Sequence, residues 1–470
     1  MSIEFSKQLA EHETPIPGVV LYDLPVHGDN RGWFKENWQR EKMVALGLPD
    51  FRPVQNNISF NEKAGTTRGI HAEPWDKFIS VATGRIFGAW VDLREGPTFG
   101  AVFTAELDPS QAIFIPRGVG NAFQTLEDNT AYTYLVNDHW SADAQGQYTF
   151  LNLADETASI PWPIPLETAE LSEKDKAHPR LAEVVPMPGR KTLVVGADGQ
   201  LGKALRKHYE GDPSVEFAGR AELDLTSEEA FTGRRWKDYA TIINAAAYTA
   251  VDQAETPQGR VAAWSINVTA VARLARTAVE HDLTLVHVSS DYVFDGSQEI
   301  HDENEPFSPL GVYGQTKAAA DAVVSVVPRH YILRTSWVIG DGNNFVRTMA
   351  SLASRGIQPA VVNDQIGRLS FTDDIAAAID HLLTSRSPYG TYNCSNDGAP
   401  QSWAIIAAEV FKLTGREETD ITGMSTEDYF AGKTAAPRPL RSTLALAKLQ
   451  RAGFNPTPSS DALNAYVGRL

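Results

Sequence analysis

The strongest constraint on the fold is a change of rhythm at PMPGR, residues 186–190. Before it, residues 18–165 carry short apolar runs: PIPGVVLYDL, FISVATG, IFGAWVDL, AVFTAEL, AIFIPRG and AYTYLV. They are punctuated by GDNRG, REGPTFG, DPSQ and LEDN, and only residues 36–47 have helical spacing. Short strands separated by turn signals predict an all-β sandwich or barrel. After it, KTLVVG, VEFAG, TIINAAA, LTLVHVSS and YILRTSWVI alternate with helical stretches, at roughly 254–280 and 313–327 among others. Strands alternating with helices predict parallel crossovers and a doubly wound α/β sheet, with a smaller lobe in the last hundred residues. The expected division is 1–187, ending in a proline-rich linker, and 188–470.

Composition narrows the chemistry. Forty-two basic against 59 acidic residues give a net charge of −17, which speaks against a nucleic-acid or anionic-membrane partner. A single cysteine, Cys394, excludes an intrachain disulfide and a cysteine-rich zinc site. No run of 18 apolar residues occurs and the first residues lack an apolar signal core, so the expectation is a cytoplasmic protein.

In the second half the first strand runs into Gly196-Ala197-Asp198-Gly199-Gln200-Leu201-Gly202 and then a helix. Such a turn lets backbone and helix N-terminus cradle a pyrophosphate. Ala245 and Ala246, small residues after the third strand, permit close cofactor approach. Arg220 ends the second strand, where an arginine accommodates a 2′-phosphate; the nearby Asp224 leaves NADH as the alternative to NADPH. Tyr313 and Lys317 stand at i and i+4, so they share a helix face. A free phenol titrates at about 10, and the neighbouring cation is expected to lower it. Ser290 emerges at a strand's C-terminal end, where open α/β sheets bind ligands.

This order of elements resembles an extended short-chain dehydrogenase/reductase. GADGQLG, NAAAYTAVDQAE, VSSDYVFDG, VYGQTK, RTSWV, NDQIG and PRPLRS narrow the resemblance to dTDP-4-dehydrorhamnose reductase over residues 191–470. The resemblance implies Ser290, Tyr313 and Lys317 as the catalytic trio, with Thr249 and Trp337 contacting substrate. Some members hold Mg²⁺ at a dimer contact through a glutamate; that position is Ala204 here, so no metal-bridged dimer is expected.

In the first half, His71 is accompanied by Arg31, Glu36, Gln55, Asn57 and Arg68, a density of polar groups that a cavity for a polar, anionic ligand would satisfy. No H-x-H spacing occurs, so no metal is expected. GDNRGWFKE, VQNNIS, TTRGIHAE, VDLREGPTFG and IPRGVGNAF resemble dTDP-4-dehydrorhamnose 3,5-epimerase, a cupin-like jelly roll, over about 14–180. That resemblance implies His71 as general base, Asp175 orienting it, Tyr134 as acid on the opposite face and Lys77 stabilising the enolate. Arg31, Glu36, Gln55, Asn57, Arg68 and Asn121 would hold the sugar nucleotide, and the jelly roll would form a homodimer. Two positions depart from the pattern: Gly88 replaces the usual aspartate and Asn121 the usual histidine.

Together the resemblances imply 3,5-epimerisation of dTDP-4-dehydro-6-deoxyglucose followed by NADPH reduction to dTDP-L-rhamnose. The alternatives are an N-terminal half that inverts one carbon or is a non-catalytic binding module, and a UDP-sugar substrate.

Overall fold

The computed structural model describes Phe5 and residues 7–139, 146–432 and 434–470. It divides into two compact units, Met1–Gly189 and Arg190–Leu470.

The first unit is a jelly roll of two antiparallel sheets. Its strands are β1 (Ala10–Glu13), β2 (Val20–Asp23), β3 (Val26–Asp29), β4 (Gly32–Lys35), β5 (Gln55–Asn61), β6 (Thr67–Ala72), β7 (Lys77–Thr83), β8 (Ile86–Asp92), β9 (Val102–Leu107), β10 (Gln111–Ile115), β11 (Val119–Thr125), β12 (Thr130–Val136) and β13 (Thr149–Phe150). One sheet has the order β1-β2-β10-β7-β12-β5 and the other β13-β6-β11-β8-β9; among the described residues β3 and β4 pair with each other as a separate ribbon. Strand β8, IFGAWVD, is buried along its whole length, as befits a strand covered on both faces. Its Trp90 is fully buried and lies over Gly88, where an added Cβ would stand 2.3 Å from the indole ring. The short helices are α1 (Arg40–Ala45), started by the Gln39 side chain accepting from Lys42 N, and α2 (Glu173–Lys176).

The second unit is a six-stranded, all-parallel sheet. Its strands β14 (Lys191–Val195), β15 (Val215–Ala218), β16 (Tyr239–Asn244), β17 (Thr284–Ser290), β18 (His330–Thr335) and β19 (Gly390–Asn393) run in the order β15-β14-β16-β17-β18-β19. The order reverses beside β14, and the crevice at such a switch point is where open α/β sheets bind ligands. Leu193, Ile242 and Leu285 point to one buried cluster, and Val194, Ile243 and Val286 to another. That alternation is what helices on both faces of a sheet require. The helices used below are α3 (Gln200–His208), α4 (Pro257–Trp264), α5 (Ala270–Glu280) and α6 (Val312–Val324). A separate core around Val346, Ile406, Phe411 and Leu463 forms the smaller lobe. No described helix is long and apolar enough to cross a membrane.

Candidate active sites

In the jelly roll a cavity of about 560 Å³ lies between elements of the two sheets and is lined by Arg68, His71, Glu73, Lys77, Asn121, Tyr134 and Asp175. Arg68 and His71 come from β6 and Asn121 from β11, whereas Lys77 and Tyr134 come from β7 and β12 of the other sheet. The cavity therefore presents His71 from one sheet and the phenols of Tyr132 and Tyr134 from the opposed one.

His71 Nε2 hydrogen-bonds Asp175 Oδ1 at 2.9 Å across 104 residues. Helix α2 supplies the carboxylate, and its N-cap Ser172 accepts from Asp175 N at 3.1 Å. Burial alone would raise the Asp175 pKa; the His71 hydrogen bond and the nearby imidazoles outweigh it and hold the carboxyl below its ordinary value. Lys77 Nζ donates to Glu73 Oε1 and stands 5.2 Å from the centre of the Tyr134 ring. Burial, reinforced by Glu73 and opposed by Arg68, raises Tyr134, so its phenol stays protonated at neutral pH. Beneath the cavity Trp90 Nε1 donates to Asn121 Oδ1 at 3.0 Å, and Asn121 Nδ2 donates to Tyr132 Oη at 3.0 Å. The two departures in the sequence are thus one structural event. Gly88 makes room for the indole of Trp90, and Asn121 receives its N–H.

Strand β5 alternates, with Gln55, Asn57 and Ser59 half-buried and Asn56, Ile58 and Phe60 exposed. Ser59 lines the cavity; Gln55 and Asn57, on the same face, do not, and Gln55 Nε2 donates to Asn57 Oδ1 at 2.7 Å. Arg31 and Glu36 lie away from it at the β3–β4 hairpin, exposed and paired with Asp29 and Lys42. Glu73, which fixes Lys77, escaped the sequence reading, although its i, i+4 spacing from Lys77 was visible.

In the α/β unit a second cavity, of about 310 Å³, is lined by Gly196, Gly199, Arg220, Asp224, Ala245 and Ala246 among others. Gly196 has φ +76°, and a Cβ there would stand 2.5 Å from Ala246 N, so only glycine allows this approach. Gly199 is the N-cap of α3, and Gln200, Leu201 and Gly202 open that helix. The Gln200 side chain leaves the cavity to accept from Gly340 N at 3.0 Å. Arg220 is 82% exposed and 3.7 Å from Asp224, free to turn toward a ligand.

Ser290 ends β17, and its hydroxyl donates to Asp291 Oδ1 at 3.0 Å. Burial pushes Tyr313 up to about 12, with Ser290 lowering it in part. This corrects the expectation that Lys317 pulls the phenol down. The Lys317 ammonium is committed to the Val288 carbonyl at 2.7 Å, and desolvation of the phenolate dominates. Lys317 itself is pushed by burial to about 8, against the opposing charge of Asp321. Thr249 is exposed in the loop after β16. Trp337, after β18, holds φ +46° and stacks on Trp403 at 3.8 Å, a left-handed backbone that a non-glycine residue adopts only when its surroundings impose it. Buried Asn267, in a π-turn between α4 and α5, bonds the Tyr248 N–H and carbonyl at 2.8 and 3.1 Å and Thr316 Oγ1 at 3.0 Å. It ties the Thr249 loop to α6, and no sequence spacing announced it. The cavity around Ala204 carries Lys203, Lys207, Arg347 and Arg469 together with Asp341 and Asp373, which pair with them.

The family model described as RmlD substrate binding domain matches residues 190–470, and that described as dTDP-4-dehydrorhamnose 3,5-epimerase matches residues 13–183. A protein RmlC homolog of Streptococcus pyogenes serotype M6 is 52% identical over 189 residues, 39% of this chain and 95% of that protein. A dTDP-4-dehydrorhamnose reductase of Aggregatibacter actinomycetemcomitans is 36% identical over 290 residues, 58% of this chain and 97% of that protein. The chain belongs to both families. Its epimerase half holds the first cavity and its reductase half the second. The crystal structure of a Bacillus anthracis dTDP-4-dehydrorhamnose reductase in complex with NADP is similar to the reductase half, with 32% identity and a TM-score of 0.55, covering 60% of this chain and 99% of that one.

Proposed function

We propose that this chain performs two consecutive steps of dTDP-L-rhamnose synthesis. The epimerase half inverts C3 and C5 of dTDP-4-dehydro-6-deoxyglucose, and the reductase half reduces the C4 ketone with NADPH. The observation that carries the reading is the pairing of opposed sheets in the first cavity, with His71 on one and Tyr134 on the other. Inversion needs a base on one face of the sugar and a proton donor on the other.

His71 is the base. Its Nε2 is engaged by Asp175, so the tautomer with the proton on Nε2 leaves the Nδ1 lone pair to take the proton α to the ketone. Lys77 faces the developing enolate oxygen, where a fixed cation helps most, and Glu73 orients it. Tyr134 returns a proton from the far side. Arg68 and Asn121 meet the sugar nucleotide within the cavity. Gln55, Asn57, Arg31 and Glu36 complete the site from its rim and from a second copy of the chain. Trp33, Phe34, Ile58 and Phe60 are all exposed on the β3–β4 hairpin and edge strand β5, an apolar surface suited to a homodimer.

In the reductase half the glycine turn and Ala245–Ala246 fit a dinucleotide, and Arg220 fits its 2′-phosphate. The nicotinamide supplies the hydride when bound. Ser290 donates to the C4 carbonyl, Tyr313 delivers the proton to the C4 oxygen, and Lys317 supports that transfer as the buried cation on the same helix face. Trp337 and Thr249 close on the sugar. The assembly works in the cytoplasm.

Epimerisation at one carbon only is the second reading, favoured by the Trp90–Asn121 pairing that replaces the usual acidic and histidine groups. Incubation with dTDP-4-dehydro-6-deoxyglucose in D₂O without NADPH, read by NMR, separates the two. Deuterium at both C3 and C5 supports two inversions; deuterium at one carbon supports the second reading, and none at either removes the epimerase role.

A further inference from the structure

One buried side chain beside the His71–Asp175 pair has no part in this scheme. His178 follows α2 with its side chain only 6% exposed. Its ring stacks on Phe150 at 4.6 Å and meets His71 edge-on at 5.3 Å. Neither ring nitrogen meets a partner in ideal hydrogen-bond geometry, and among the described residues a loose contact with the Leu151 backbone is all they have beside Asp175, a poor satisfaction for a buried imidazole. Its Nε2 lies 3.9 Å from Asp175 Oδ1, the atom that His71 Nε2 contacts at 2.9 Å. Among the described residues, His71, Asp175 and His178 offer three ligand atoms all within 4.8 Å of one another.

We propose that His71, Asp175 and His178 form a binding site for a divalent transition-metal ion of the zinc class, and that its occupation switches the epimerase half off. Two imidazole nitrogens and one carboxylate oxygen are a donor set zinc favours over hard cations, which prefer oxygen. Metal–ligand bonds of about 2.0–2.2 Å place tetrahedral donors roughly 3.3–3.5 Å apart, between the two contacts to Asp175, and the trio would draw together from separations within 4.8 Å. The fourth position opens toward the cavity, since His71 and Asp175 line it.

Inhibition follows from proton bookkeeping. In the active dyad the His71 proton sits on Nε2 and Nδ1 carries the lone pair. A metal on Nε2 takes the lone pair there, and the neutral ring keeps its proton on Nδ1 instead. The nitrogen that served as base then becomes a donor. His178, Asp175 and the metal gain or lose no proton in this exchange, and the reductase half is untouched. The switch rests on His71 being the base; the metal site does not, so the two are tested apart.

Binding is read by adding Co²⁺ alone to the metal-free full chain and recording its visible d–d bands. The expected result is one four- or five-coordinate cobalt per chain, displaced by Zn²⁺ and abolished in His178→Phe, which keeps the ring stacked on Phe150. Loss of one ligand should weaken Zn²⁺ binding by about tenfold or more. No cobalt band in the wild type, or the same band in His178→Phe, would overturn the site. If His178→Phe does not fold, His178→Gln serves in the same comparison, and the wild-type titration decides alone. In D₂O, one equivalent of Zn²⁺ should stop proton exchange in the wild type while NADPH oxidation with pre-epimerised substrate continues. His178→Phe, measured against its own metal-free rate, should keep exchanging. Exchange that persists in a chain saturated with Zn²⁺ at this site would overturn the switch and remove His71 as base, leaving the metal site standing.

Discussion

The two sites each bring together a cation, a phenol and a neutral donor or base, yet they are built in opposite ways: the first set lines one cavity, whereas Ser290, Tyr313 and Lys317 stand outside the lining of the glycine-turn cavity. The epimerase cavity gathers its groups from two facing antiparallel sheets and fixes them in pairs, His71 with Asp175 and Lys77 with Glu73. The reductase groups stand at the C-terminal ends of parallel strands and on one helix, and burial rather than pairing sets their protonation, with Tyr313 near 12 and Lys317 near 8. Groups fixed in ion pairs depend on each partner. Buried groups depend on what is bound beside them.

The largest break in this comparison comes from Asp175→Asn. The substitution removes the charge that holds the imidazolium and disturbs the tautomer, so proton exchange should fall about 10²–10⁴-fold while reduction of pre-epimerised substrate is unchanged. NMR exchange rates beside NADPH oxidation rates check it, and equal loss in both assays would contradict the division of labour.

The next effect is in pH. Burial depresses Lys317, so its ammonium is present below about 8 and lost as pH rises through that value. The kcat/KM for reduction should decline above pH 8, roughly tenfold per unit where one essential proton is lost. Proton exchange, which does not use Lys317, should lack that limb. Parallel profiles in the two assays would show that substrate or fold, not Lys317, sets the decline.

What was legible beforehand follows the same division. Tyr313 and Lys317 lie four residues apart, and the glycine turn joins one strand to one helix, so their geometry is local and the spacing carried it. His71 and Asp175 are 104 residues apart, and Lys77 and Tyr134 meet only because β7 pairs with β12. No periodicity encodes such a meeting; the resemblance alone pointed to it. The raised Tyr313 was missed because a spacing rule registers the neighbouring charge but not the desolvation. Glu73 and Asn267 were missed because each acts through another residue, and His178 because burial is not written in the sequence.

The smallest effect expected is in cofactor choice. Arg220 is mostly exposed, so solvent screens its charge, and Arg220→Ala should raise the KM for NADPH roughly fivefold with little change for NADH. Steady-state kinetics with both cofactors would reveal equal changes if Arg220 does not meet the 2′-phosphate.

The central claim, that one chain holds two independent chemistries, is tested most directly by mixing two defective proteins. Tyr313→Phe should exchange α-protons in D₂O yet consume almost no NADPH, and His71→Ala should do neither with the unepimerised substrate. Combined, they should restore NADPH consumption and form the reduced sugar, because the epimerised intermediate passes from one protein to the other. Wild-type proton exchange in His71→Ala, or a mixture as inactive as its components, would contradict the account.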